Sequence, residues 1–144
     1  LAPLVEEVLA EGRATCPGAA FAAEGEFPEI EADAALLRRA LVNLVRNAAE
    51  AAGDGGRVAV RGERSDDGAV ALDVEDSGPG VAPEAAEKLF VPFASTKEGG
   101  TGLGLSLVAK IAALHGGTIA ASRSAALGGA SFRLALPPPA PTWP

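Results

Sequence analysis

The stretch AALLRRALVNLVRNAAEAAG, from Ala34 to Gly53, constrains the fold more than any other part of the chain. Leu37, Leu41, Leu44, Ala48 and Ala51 recur at helical spacing and form one apolar face that has to be covered. Asp33 stands where a helix N-cap is needed and Gly53 where a helix ends, so the pattern predicts a capped helix between them. The other side carries Asn43, Asn47 and Glu50 at i, i+4 and i+7, neighbours about 5–6 Å apart on one face. Asn has no propensity reason to lie inside a helix. Taken alone, this stripe suits a solvated surface as well as a binding one.

The cover is supplied downstream. GRVAVRGE and GAVALDVED alternate with a period of two about the turn SDDG, which predicts an antiparallel strand pair. Upstream, LAPLVEEVLAEGRA places Leu1, Leu4, Val5, Val8 and Leu9 on one side of a short helix, stopped by Pro17-Gly18. AAFAAEGEFPEIEA is weakly strand-like, broken by Gly25 and Pro28, and is expected to supply a hairpin. PEAAEKLF predicts a short helix with Pro83 in its first turn. GGTGLGLSLVAKIAALHGG, from Gly99 to Gly117, runs from a glycine-rich loop into a longer helix ending near His115. GTIAASRS and GASFRLAL close the chain as a second hairpin. The expected architecture is α+β: a two-layer α/β sandwich, with a mixed, mostly antiparallel sheet covered on one face by about three helices.

At 144 residues the chain is the size of one domain, able to bury roughly two-thirds of its unfolded surface. The domain is expected over residues 1–136, followed by a proline-rich tail at 137–144 that can continue neither helix nor sheet. A net charge of −7 and the absence of a basic run disfavour nucleic acid and anionic lipid as partners. Cys16 is the single cysteine, so an intrachain disulfide is excluded, which fits a reducing compartment. No apolar run approaches the roughly 20 residues that cross a bilayer, and no secretory signal opens the chain. The expectation is a cytoplasmic domain, and, since the first residue is Leu1, a fragment of a longer protein for which a membrane anchor stays open.

Chemistry concentrates in four places. DVEDSGPGV follows a strand directly: Asp76 offers a carboxylate that can accept from an amino group, and Gly78 and Gly80 let the backbone turn beside a flat ligand. A charge-assisted hydrogen bond contributes about 1.5–3 kcal/mol, enough to select a base. The same residues also suit an ordinary Asp-Ser-Gly-Pro turn. LFVPFASTK holds Phe90 and Phe93, which could equally anchor a loop to the core. Lys97 and the loop GGTGLGL come next, where backbone N–H groups can take phosphate charge.

In this order the four elements resemble the catalytic and ATP-binding domain of bacterial sensor histidine kinases, within the superfamily of type II topoisomerase ATPases, Hsp90 chaperones and MutL. NLVRNAAEA is similar to the N box, DSGPG to the first glycine box, LFVPF to the F box and GTGLGL to the second glycine box. The resemblance implies the Bergerat ATP-binding fold and ATP with Mg²⁺ as cofactors. It implies that Asp76 binds the adenine amino group beside Gly78, Gly80 and Val81, that Asn47 holds Mg²⁺, and that Asn43 approaches the phosphates. Gly100, Thr101, Gly102, Leu103, Gly104 and Leu105 would wrap those phosphates, and the segment from Phe93 to Gly100 would be a short ATP lid. Phe90, Phe93, Lys97 and Glu50 complete the implied site. The implied partners are a dimerisation hairpin carrying the phosphoacceptor histidine, which is absent from this chain, and a response regulator receiver domain.

One position separates activities within that superfamily. ATP-hydrolysing members place a Glu four residues before the metal-binding Asn, where this chain has Asn43. An amide cannot act as a general base, which favours phosphoryl transfer over hydrolysis. His115 closes a helix, where a histidine usually caps carbonyls, and it does not match the family's phosphoacceptor motif. Two residues depart from the family: Glu50 stands where many members have Lys, and Ala51 where many have an aromatic. A carboxylate about 5 Å from phosphate charge costs on the order of 3 kcal/mol at an effective dielectric of 20. Glu50 must turn away, pair with a cation such as Arg46, or help hold Mg²⁺. Acidic residues there occur in the nitrogen-regulation type of kinase, and Lys97 is a candidate for the displaced positive charge. The alternatives are a non-catalytic docking domain, or an ATPase or serine kinase of the same superfamily.

Overall fold

A computed structural model describes residues 1–86, 88–91 and 104–139. Among them, three helices lie over a five-stranded sheet: α1 (Ala2–Thr15), β1 (Ala20–Gly25), α2 (Ala34–Ala52), β2 (Arg57–Arg64), β3 (Val70–Asp76), α3 (Gly104–Leu114), β4 (Thr118–Arg123) and β5 (Ala130–Leu136). The strand order is β1-β2-β3-β5-β4, with β1 parallel to β2 and the other neighbours antiparallel. This is the expected α+β sandwich.

Strand parity sorts the two faces of the sheet. Val60, Val74 and Phe132 stand opposite one another in register on the buried side, and Leu72 pairs with Leu134 there. Each such side chain contributes about 1.5–3 kcal/mol by leaving water. The opposite face is charged: Arg133 pairs with Asp73 at 2.9 Å and Glu63 at 3.1 Å, and Arg61 with Glu75 at 2.9 Å and Glu24 at 3.0 Å. Hydrogen bonding to Asp73 raises the Arg133 guanidinium above its ordinary range. Among the described residues one face therefore carries no helix, and the other holds the core.

The central helix forms as its sequence dictates. Asp33 accepts from the Leu36 N–H at 3.0 Å, and Gly53 ends α2 with φ of 67°, a left-handed value that favours glycine. α1 packs on β1 and α2, α2 on β2 and β3, and α3 on α2, β4 and β5. His115 fixes the last of these contacts. Its Nδ1 donates to the Ile111 carbonyl at 2.8 Å, while Nε2 accepts from the Asp33 N–H at 3.1 Å. The end of α3 is thereby pinned to the beginning of α2.

Two expectations need correction. The segment from Ala20 makes one strand, not a hairpin; it pairs in parallel with β2 across the α2 crossover. Gly25, with φ of 91°, ends it before Pro28. Of the segment at 83–90, residues 83–86 form turns and Lys88–Phe90 one turn of 3₁₀ helix, instead of an α-helix. Eight residues offer too few hydrogen bonds to repay helix nucleation.

Candidate functional site

Asp76 is the last residue of β3, and its parity turns the side chain toward the helices, where it is 1% exposed. Burying a charged carboxylate is costly unless it is hydrogen-bonded. Here Oδ1 accepts from the Gly78 N–H at 2.9 Å and the Ala130 N–H at 3.2 Å, and the Asp76 carbonyl accepts from Gly129 at 3.0 Å. Among the described residues no donor meets Oδ2. The backbone of the loop after β3 and of the start of β5 fixes one oxygen and leaves the other directed at a further donor, which is what an adenine amino group would supply.

The glycines around it are there for space and for backbone angle. A Cβ on Gly78 would come within 2.5 Å of the Ala51 carbonyl oxygen, so the loop after β3 can lie against the C-terminal turn of α2 only as glycine. Gly80 has φ of 82°, and its Cβ position meets nothing closer than 3.6 Å; conformation, not space, requires glycine there. Gly129 was invisible as a site residue. A Cβ on it would sit 2.7 Å from the Gly78 nitrogen and closer still to both the carboxylate and the carbonyl of Asp76. The signal that could have found it is the Gly128-Gly129 pair just before a strand.

The middle of α2 carries the second half of the site. Asn43 and Asn47 are half-buried and Glu50 is exposed, all along one row of the helix. Asn43 Nδ2 donates to the Arg39 carbonyl at 3.0 Å, which leaves Oδ1 facing α3, 3.4 Å from where a Cβ on Gly104 would stand. Arg39, Asn43, Arg46, Gly104, Ser106 and Lys110 line an open cleft of about 810 Å³ between α2 and α3. Asp76 does not line this cleft, because it lies at the other end of α2. Val81, Phe90 and Leu105 are half-buried against the core, and Phe90 meets Phe132 edge-on at 6.3 Å. The aromatic of the LFVPF stretch thus anchors its segment to the sheet. Phe93, Lys97, Gly100, Thr101, Gly102 and Leu103 lie outside the described residues.

The fit of a metal can be tested on the donors present. Among the described residues no group of three His, Cys, Asp or Glu side chains converges. Mg²⁺ commonly uses one or two protein oxygens and completes its shell with water and phosphate, so the Asn47 amide fits as a partial ligand to a nucleotide-borne ion. No helix is long and apolar enough to cross a membrane among the described residues.

Comparison with known proteins identifies the family. The profile of the histidine kinase-, DNA gyrase B-, and HSP90-like ATPase family matches residues 32–140. The sensor histidine kinase ZraS of Escherichia coli O157:H7 is 44% identical over 117 residues, covering 81% of this chain and 25% of ZraS. The chain thus spans about a quarter of that relative. Among solved structures, the mycobacterial sensor histidine kinase MprB superposes with a TM-score of 0.86 at 28% identity, covering 94% of each chain. The catalytic domain of histidine kinase ThkA, in a nucleotide-free form, gives 0.85 at 34% identity over 95% of this chain and 91% of that one; ThkA has also been solved with the response regulator protein TrrA. The chain belongs to the family of histidine kinase-, DNA gyrase B- and HSP90-like ATPases, and within it is an ATP-binding catalytic domain of the histidine kinase kind.

Proposed function

We propose that the domain, over residues 1–136 with 137–144 as a tail, binds Mg²⁺-ATP and donates the γ-phosphoryl group to a histidine on a separate helical hairpin, for relay to a response regulator. The observation that carries this is the buried Asp76 carboxylate, held by the Gly78 and Ala130 N–H groups with Oδ2 left for an adenine amino group. Gly80 and Val81 would lie along the ring. Asn47 would hold Mg²⁺, which when bound neutralises phosphate charge. Asn43 and the start of α3 at Gly104 would flank the phosphates, and Glu50, Phe90 and Leu105 would border them. Phe93, Lys97 and residues 100–103 are assigned to the lid and the phosphate loop by their motifs alone. The response regulator found with ThkA supports the relay.

Asn43 decides between transfer and hydrolysis. Its amide cannot take a proton from water, so the protein's contribution is positioning and charge neutralisation. Glu50 in place of Lys is consistent with the nitrogen-regulation type of kinase. The test is to incubate the chain with γ-labelled ATP, alone and with a helical hairpin bearing a phosphoacceptor histidine. Acid-labile label on the hairpin, with negligible phosphate release by the chain alone, is expected. Steady phosphate release by the isolated chain would contradict the role given to Asn43.

A further inference from the structure

The row Glu50, Asn47, Asn43 does not stop at Asn43. Stepping back one more turn of α2 reaches Arg39, about 6 Å further along the axis. The direction of this row is fixed at both ends. Gly78, whose N–H holds Asp76, lies against Ala51 at the C-terminal end of α2, whereas Gly104 faces Asn43 and His115 bonds to Asp33. α3 therefore runs antiparallel to α2, and Lys110, six residues after Gly104, is level with the turn that carries Arg39.

These two cations are unlike their neighbour. Arg38 turns toward α1 and pairs with Glu7 at 3.4 Å and Glu11 at 2.8 Å. Arg39 and Lys110, like Arg46 on the same cleft, are exposed and among the described residues enter no ion pair, and of the three Arg39 and Lys110 stand beyond Asn43. In a chain of net charge −7, exposed cations along one cleft with no ion pair among the described residues are a disposition toward an anion.

We propose that Arg39 and Lys110 form the cationic end of the nucleotide site, one helical turn beyond Asn43, where they take the charge of the terminal phosphate and let the domain distinguish ATP from ADP. This rests on the ATP reading of Asp76 and extends it to residues that no motif marks. Arg39 and Lys110 stand away from the C-terminal turn of α2 where the Asp76 loop lies, so the polyphosphate runs from Asp76 along α2 toward these cations. Because both cations are solvated, each effect is modest and screened by salt.

The experiment is calorimetric titration of the whole chain with Mg²⁺-ATP and with Mg²⁺-ADP. The variants are Arg39→Ala, Lys110→Ala, the double variant, Arg39→Lys, and Arg123→Ala as a distant cation. ATP affinity is expected to fall about 5-fold for each single alanine variant and about 20-fold for the double, with ADP affinity changing less than about 2-fold. Arg39→Lys should keep most of the ATP preference, and Arg123→Ala all of it. An ATP-to-ADP ratio unchanged in the double variant, or an equal loss for both nucleotides, overturns the proposal and leaves the adenine reading standing. A wild-type chain that binds neither nucleotide overturns the ATP reading and the proposal with it.

Discussion

The two ends of α2 are built by different means. At the C-terminal end a single buried carboxylate is held by N–H groups from the loop after β3 and the start of β5, in a space that Gly78 and Gly129 keep open. Toward the N-terminal half, Asn43 is half-buried and Arg39 and Lys110 are exposed in an open cleft. The first arrangement is rigid and dry, which suits recognition of a flat base by one hydrogen bond. The second is charged and wet, which suits attraction of a polyphosphate that must enter and leave. Recognition of the base is thus assigned to the Asp76 end of α2, and attraction of the phosphates to the other.

The division breaks most severely at Asp76. Asp76→Asn keeps an oxygen for Gly78 and Ala130 but points an amide donor at another donor, so ATP affinity should fall about 100-fold with the circular dichroism spectrum unchanged. Gly129→Ala strikes the same end through packing. Its methyl has no room between Asp76 and Gly78, and a loss of about 2 kcal/mol in urea unfolding is expected, together with weaker nucleotide binding. At the other end, His115→Ala should cost about 1 kcal/mol by releasing the Asp33 N–H and the Ile111 carbonyl, with ATP affinity nearly intact. The gentlest probe is salt. Raising ionic strength from about 0.05 to 0.5 M should weaken ATP several-fold and leave adenosine affinity level, because screening reaches the exposed cations and not the buried carboxylate.

Legibility in the sequence followed how local each cause was. α2 could be read because both caps, Asp33 and Gly53, and the apolar repeat lie within it. The strand pair about SDDG could be read for the same reason: alternation and turn are contiguous, and Gly68, with φ of 92°, sits where the turn needs it. The parallel pairing of β1 could not, since partner choice depends on the α2 crossover and not on the strand's own residues. The short helix expected at 83–90 was misread because alanine-rich composition favours helix at any length while nucleation does not. In the site, Asn43, Asn47, Asp76, Gly78 and Gly80 stood out by residue type and spacing. Ala130, whose N–H orients Asp76 from 54 residues away, offers only a backbone group and no side-chain signal. Arg39 and Lys110 look like ordinary surface cations until the antiparallel seam of α2 and α3 sets them level.

The central claim is that Asp76 reads the base. Adenine presents an amino donor where guanine presents a carbonyl acceptor, which a carboxylate repels. Calorimetric titration of the chain with Mg²⁺-ATP and Mg²⁺-GTP measures this directly. Saturable one-site binding of ATP, with GTP at least about 50-fold weaker, is the predicted result; equal affinities for the two nucleotides, or no saturable ATP binding, would contradict it.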